Sequence, residues 1–242
     1  MTRKSSNKDY SKKLTSAYAE LKKAYRQLRD SHIEMIFRLA LTAEYRDVMT
    51  GTHLVRIADY SEIIADGLGL PRHEVEIIRY ASPMHDIGKV ILPDSILKKK
   101  GKLNSSEWKL VKKHPAVGGE IFKNAKTPIL QACGIIASTH HEKFDGTGYP
   151  RELKGKRIPL YGRIVGLADY FDALTSKRPY KRAFPFDRSV SMILENAGSF
   201  FDPAIVIAFM RNKSRIKDVW KANQDIEKFL RGMEISEDEL LK

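Results

Sequence analysis

Cysteine is all but missing from this chain. The single residue, Cys133, lies in the apolar run Ile129-Leu-Gln-Ala-Cys-Gly-Ile-Ile136, so no disulfide can form within the chain. That excludes a scaffold held by internal cross-links, fits a reducing compartment, and leaves a small buried side chain as the role expected of Cys133. Long apolar runs are missing too. None approaches the ~20 residues of a membrane-spanning helix, and Met1-Thr-Arg-Lys-Ser-Ser-Asn-Lys8 carries no signal-peptide core. The expectation is a soluble, cytoplasmic protein without a membrane partner. Strand-like alternation is scarce, which points to an all-α fold. Acidic residues are outnumbered, 30 against 43 Lys and Arg, for a net charge of +13. Such a surface attracts anions, from nucleic acid to a small phosphorylated ligand, and charge alone does not choose among them. No nucleic-acid-binding motif accompanies it, so nucleic acid is the weakest of these partners.

What is present reads as a series of helices. At 242 residues the chain can bury one sizeable core and carry an appendage. Near the N-terminus Leu14, Tyr18, Leu21, Tyr25 and Leu28 recur at alternating steps of four and three, among Lys, Arg, Gln and Glu. This is the seam of a short coiled coil or of a helix lying along a partner. Parallel self-association into a homodimer is one reading, and an amphipathic helix packed on its own domain is the other. The helix continues through Ile33–Glu44, since neither Pro nor Gly intervenes. A second helical run carries Val55, Ile57, Ala58 and Ile63, and Gly67-Leu-Gly-Leu-Pro71 breaks it. Helical spacing returns over Glu74–Met84, where Pro83 interrupts it just before His85. Ile129–Thr139 reads as a buried helix. Residues 145–160 form a structured Gly- and Pro-rich loop with room for a short hairpin, and Ile164–Leu174 is a buried helix bearing Asp169 and Asp172.

Metal-ligand residue types cluster in two places, Met84-His-Asp-Ile-Gly-Lys89 and Thr139-His-His-Glu-Lys-Phe-Asp-Gly-Thr-Gly-Tyr-Pro150. Of the seven histidines, His32 and His73 have surface-like neighbours. His53, His85, His114, His140 and His141 sit beside buried helical patterns or Gly turns. Asp169 lies inside an apolar run, where an unpaired charge is expensive unless a metal ion or a cation offsets it. Asp172, one turn later, is either a supporting group or a cap on neighbouring backbone. Mixed imidazole and carboxylate suits borderline divalent ions. Repeated, it suggests a two-ion site able to polarise a phosphate and activate water.

The order His…His-Asp…Asp resembles the HD phosphohydrolase superfamily, and the added His-His-Glu…Asp-Gly-Thr-Gly-Tyr-Pro resembles its HD-GYP branch. More of that signature is present: Glu44-Tyr-Arg-Asp47, Thr50, Arg56, Gly118, Ile158-Pro-Leu160, Arg163-Ile164, Phe171-Asp-Ala-Leu-Thr-Ser176, Arg178-Pro-Tyr-Lys181 and Phe201-Asp-Pro203. The match runs over about residues 35–210, flanked by a basic tail and coiled-coil-like helix (1–34) and a helical extension (211–242). The resemblance implies an all-helical HD-domain bundle that degrades cyclic di-GMP, a bacterial second messenger, with two or three bound metals. It implies His53, His85, Asp86, His114, His140, His141 and Asp169 as ligands, with Asp86 bridging two ions. Lys89 would contact the scissile phosphate, Arg178 and Lys181 would hold phosphates, and Tyr149 would shape or touch the substrate site. Asp47 is the candidate to orient the nucleophile or accept its proton.

Members with three metals carry glutamate four residues before the first motif histidine, where this chain has Met49. A thioether is a poor ligand for such an ion, so two metals are expected, iron or manganese ahead of zinc or nickel. The product would be linear pGpG, with a second cut to GMP left open. Two alternatives stand beside this reading: a signalling module acting through protein contacts, and a hydrolase for another nucleotide, including a hybrid cyclic dinucleotide. Either a free-standing member or the catalytic part of a longer chain fits the sequence.

Overall fold

The structure, a computed structural model of the chain, describes residues 2–44, 51–176 and 183–222, with side chains from residue 11 onward except at position 51. The chain divides into two compact units, Met1–Ile36 and Phe37–Lys242. The first helix, α1 (Thr2–Glu44), makes up the described part of the first unit. In that unit Leu14, Tyr18, Leu21, Tyr25, Leu28 and Met35 are all exposed, from 51% at Met35 to 73% at Leu14.

The second unit is a helical assembly. After the end of α1 come α2 (Gly51–Gly67), α3 (Arg72–Ala81), a 3-10 helix (Ser82–Ile91), α4 (Asp94–Leu97), α5 (Ser105–Val111), α6 (His114–Ile121) and α7 (Pro128–Thr139). A short 3-10 turn (Gly155–Arg157) precedes α8 (Leu160–Thr175), α9 (Phe186–Glu195), α10 (Pro203–Arg211) and α11 (Lys213–Lys221). Among the described residues there is no strand, only an isolated bridge between Ala197 and Phe201. The all-α expectation is met. The short hairpin expected within residues 145–160 is not formed, because its backbone donors go elsewhere. Arg151 and Leu153 N–H donate to the Glu142 carboxylate, and Gly155 N–H donates to the Phe144 carbonyl.

Local chemistry explains the boundaries. α3 stops at Ala81 because Pro83 has no N–H to extend it. The chain runs on as a 3-10 helix of 10 residues, far longer than the usual three or four. Thr127 caps α7 by accepting from Leu130 N–H, with Pro128 in the first turn. Asp202 caps α10 in the same way through Ala204 N–H.

The core lies between α2, α3, α7, α8 and α10. Ile57, Ile64, Ile78, Ile136, Ile164 and Leu167 are fully buried, as is Cys133, whose thiol burial pushes up to about 12. The Phe171 ring meets Tyr60, Phe186 and Phe209 edge-on at centroid distances of 5.1–5.7 Å. Gly88 lets the 3-10 helix lie directly on α6, since a Cβ there would fall 1.9 Å from the His114 carbonyl oxygen. No helix among the described residues is long and apolar enough to cross a membrane.

Candidate metal centre

Five elements deliver side chains to one buried locus. α2 carries His53, the 3-10 helix His85 and Asp86, and α6 begins at His114. His140 caps the end of α7 with His141 next in line, and α8 carries Asp169. These side chains fall into two groups whose ligand atoms lie within 4.8 Å of one another: Asp86, His114, His140 and His141 in one, His53, His85 and Asp169 in the other. Asp86 reaches both. Its Oδ1 is 3.1 Å from His114 Nε2 and 3.6 Å from His140 Nε2, while its Oδ2 is 3.2 Å from His85 Nε2.

The imidazoles are held by their far nitrogens. His85 Nδ1 lies 3.0 Å from the Ser82 carbonyl, His114 Nδ1 2.7 Å from that of Val111, and His140 Nδ1 3.1 Å from that of Ala137. A carbonyl only accepts, so each Nδ1 carries a proton and each Nε2 is turned to the centre, where those of His114 and His140 present lone pairs. His53 Nδ1 is held instead by the Asp172 carboxylate at 2.7 Å.

This arrangement is a test of whether a cation fits. His114 Nε2 and His140 Nε2 face each other at 3.5 Å with two lone pairs and no proton between them. Among the described residues His85 Nε2 and Asp86 Oδ1 are buried without a hydrogen-bond partner, although other ligand atoms are close. Donor atoms that converge on a point rather than on one another are stabilised by a positive ion there. Five imidazoles and two carboxylates suit borderline divalent ions, so the residues fit the group.

Protonation follows the same logic. Burial and the neighbouring His140 and His114 hold the His141 imidazole well below its ordinary value, in the neutral form that binds metal. His140 is lowered by burial despite Asp86. Burial opposes ionisation of Asp86, but Lys89, whose Nζ lies 2.7 Å from Oδ2, and His85 hold it well below the carboxylate range. Burial likewise opposes charge on His85, yet Asp86, Asp169 and Glu44 raise it to about 9 without metal.

The surrounding residues show functions that residue types alone conceal. Among the described residues Asp172 caps no backbone. It is fully buried and accepts from His53 Nδ1, Arg56 Nε and Nη2, and Ser176 Oγ. Glu142 pins the Gly-rich loop by accepting from Arg151 and Leu153 N–H at 2.8 and 2.9 Å. That loop closes tightly on the histidine pair, since a Cβ on Gly148 would lie 2.3 Å from Lys143 N and 2.6 Å from the His141 carbonyl oxygen. Tyr149 stacks on His141 at 4.7 Å and 29°. Glu44 is buried near Lys89, Asp86, His53 and His85. Among the described residues its Oε1 has no hydrogen-bond partner, and burial pushes its carboxyl up. The sequence marked it only as the first residue of the Glu44-Tyr-Arg-Asp47 signature, with no role assigned. His32 and His73 are exposed. Asp47, Met49, Arg178 and Lys181 lie outside the described residues.

An HD domain family model matches residues 16–205. A cyclic di-GMP phosphodiesterase response regulator of Xanthomonas campestris pv. campestris is 40% identical over 193 residues, covering 80% of this chain and 51% of that protein. The 3′3′-cGAMP-specific phosphodiesterase 2 of Vibrio cholerae is 44% identical over 179 residues, covering 74% of this chain and 34% of that protein. The chain therefore spans about half the length of the first relative and about a third of the second. A crystal structure of a cyclic GMP-AMP-specific phosphodiesterase of Vibrio cholerae superposes with a TM-score of 0.57. Identity there is 15%, with 86% of this chain and 57% of that one covered, a likeness of fold alone.

Proposed function

The chain belongs to the HD domain family, in its HD-GYP branch, and from that premise we propose that it is a metal-dependent phosphodiesterase opening cyclic di-GMP to linear pGpG. One observation carries the reading: two groups of ligand atoms share Asp86, with the His114 and His140 lone pairs facing each other at 3.5 Å. Asp86, His114, His140 and His141 would hold one divalent ion and His53, His85, Asp169 and Asp86 another, with iron or manganese favoured over zinc or nickel by the ligand mixture. Bound there, such ions supply Lewis acidity toward a phosphoryl oxygen and lower the pKa of water.

The chain's own residues do the rest. Lys89, beside Asp86, faces the phosphate and offsets the charge that develops on its oxygens. Asp172 and Arg56 hold His53 in one tautomer, and Tyr149 braces His141 from outside. Arg178 and Lys181 grip the two phosphates, and Asp47 takes the proton from water. Water oxygen joins phosphorus, the P–O3′ bond breaks, and the 3′ oxygen leaves with a proton. Met49 supplies no carboxylate for a third ion, so two ions suffice for this first cut. The exposed Leu14–Leu28 stripe suits pairing with a second copy of the chain.

The test joins metal counting to product analysis. Chain purified without oxygen should carry two ions and convert cyclic di-GMP to pGpG by chromatography, and His85→Ala/Asp86→Ala should do neither. Full loading without turnover would return the chain to a signalling role. Turnover of 3′3′-cGAMP in preference would name that substrate instead.

A further inference from the structure

A cavity of about 320 Å³ opens beside the metal centre, at the low end of the range for ligand clefts. His141 and Asp169 form the wall it shares with the centre, and Tyr170, Ala173, Ile158 and Phe200 form an apolar body away from it. Its shape is set in advance by backbone bonds. Phe144 N–H donates to the Phe200 carbonyl at 3.1 Å and Asp145 N–H to that of Ser199 at 2.7 Å, fastening the histidine-pair loop to the segment before α10.

The polar groups of this cavity are mostly committed. Arg163 is paired with Asp202 and bonded to the Ile158 carbonyl. Glu142 is spent on the Arg151 and Leu153 N–H groups, and neighbouring Asp145 accepts from Thr147 N and Oγ1. Lys143 differs. Its Nζ lies 3.6 Å from the centroid of the Phe200 ring, and it forms no ion pair among the described residues. Attraction to the ring face keeps the ammonium at the cavity, but a ring supplies no hydrogen-bond acceptor. A donor-only group is thus poised beside an apolar slot that adjoins the candidate metal centre.

Resting on the phosphodiesterase reading, we propose that Lys143 is a specificity-determining residue that selects guanine as the base next to the scissile phosphate. Guanine presents O6 and N7, two adjacent acceptors, and an ammonium can donate to both. Adenine keeps N7 but sets its N6 amino group where O6 would be, opposing donor to donor. The flat apolar walls accept either purine equally, so Lys143 alone breaks the tie. Substrates with at least one guanine enter, and an all-adenine dinucleotide is disfavoured.

Metal-loaded wild type, Lys143→Met and Lys143→Arg are compared on cyclic di-GMP, 3′3′-cGAMP and cyclic di-AMP, alongside equilibrium binding of GMP and AMP. The kcat/KM ratio of cyclic di-GMP to cyclic di-AMP should fall about tenfold or more in Lys143→Met and largely recover in Lys143→Arg, which offers O6 and N7 a fork of donors. The GMP-to-AMP binding ratio should move in parallel. Equal losses on all substrates would make Lys143 a general phosphate or folding contact and overturn the proposal, as would unchanged ratios. If wild type cleaves no cyclic dinucleotide, the phosphodiesterase reading falls. The binding ratios then still decide the role of Lys143.

Discussion

Asp172 is the residue on which the centre's rigidity turns. Fully buried, it answers Arg56, His53 and Ser176 at once. Asp172→Asn leaves the Arg56 charge without its partner, and breaking a buried pair costs about 3–5 kcal/mol. Loss of the His53 support should also weaken metal binding by about 10–100-fold. Urea unfolding of the metal-free chain and a metal titration read the two effects separately. Burial raises the Asp172 carboxyl, but His53 and Arg56 outweigh burial and hold it well below the usual range. Its contribution to stability is therefore full above the unfolded value of about 3.9 and drains away as pH falls toward the folded one. The acid limb of the wild-type stability curve should flatten in Asp172→Asn. His85 carries the opposite sign. Raised to about 9 from 6.5 in the metal-free chain, it stabilises fully below pH 6.5 and loses that contribution as pH rises through about 9. Metal must displace this proton, so loading near neutral pH should release protons, measurable by calorimetry in buffers of different ionisation enthalpy.

Among the elements, the 3-10 helix and the Gly-rich loop do the positioning. Pro83 converts the end of α3 into the tighter coil that carries His85, Asp86 and Lys89, and Gly88 seats that coil on His114. A methyl group at Gly88 has backbone in its way on α6, so Gly88→Ala should cost about 1–3 kcal/mol or more and lower the number of ions bound. Thermal unfolding and metal analysis of one preparation check both. The loop after His141 depends on Glu142. Glu142→Gln keeps one acceptor oxygen and turns an amide toward a backbone donor, a loss of about 1–3 kcal/mol. Limited proteolysis within residues 143–153 should accelerate in this variant.

For the molecule as a whole, the feature that calls for a partner is the exposed leucine and tyrosine stripe of the first unit. Leu14, Leu21 and Leu28 are 57–73% exposed at seven-residue spacing, an arrangement that favours burial against another helix. If a second copy covers it, the full chain sediments as a dimer and Leu21→Glu/Leu28→Glu sediments as a monomer. A monomeric wild type would assign the stripe to another partner.

Much of this protein is legible along the chain because its determinants are local. Helical periodicity, the Pro83 interruption and the adjacency of His85 to Asp86 and His140 to His141 need no knowledge of the fold. The same holds for the residue types that converge at the centre. Their aim is another matter. The His53–Asp172 contact joins residues 119 positions apart, and no periodicity reports it. The hairpin expected in the Gly-rich loop failed because a carboxylate, Glu142, competed for the donors a strand would need. The sequence by itself determined an all-helical chain and its complement of imidazoles and carboxylates. Only the tertiary structure decided that their lone pairs meet, that Asp86 spans both groups, and that Lys143 stands over an apolar cavity. Composition and spacing act within a few residues, whereas direction is set by whichever distant backbone and side chains pack alongside.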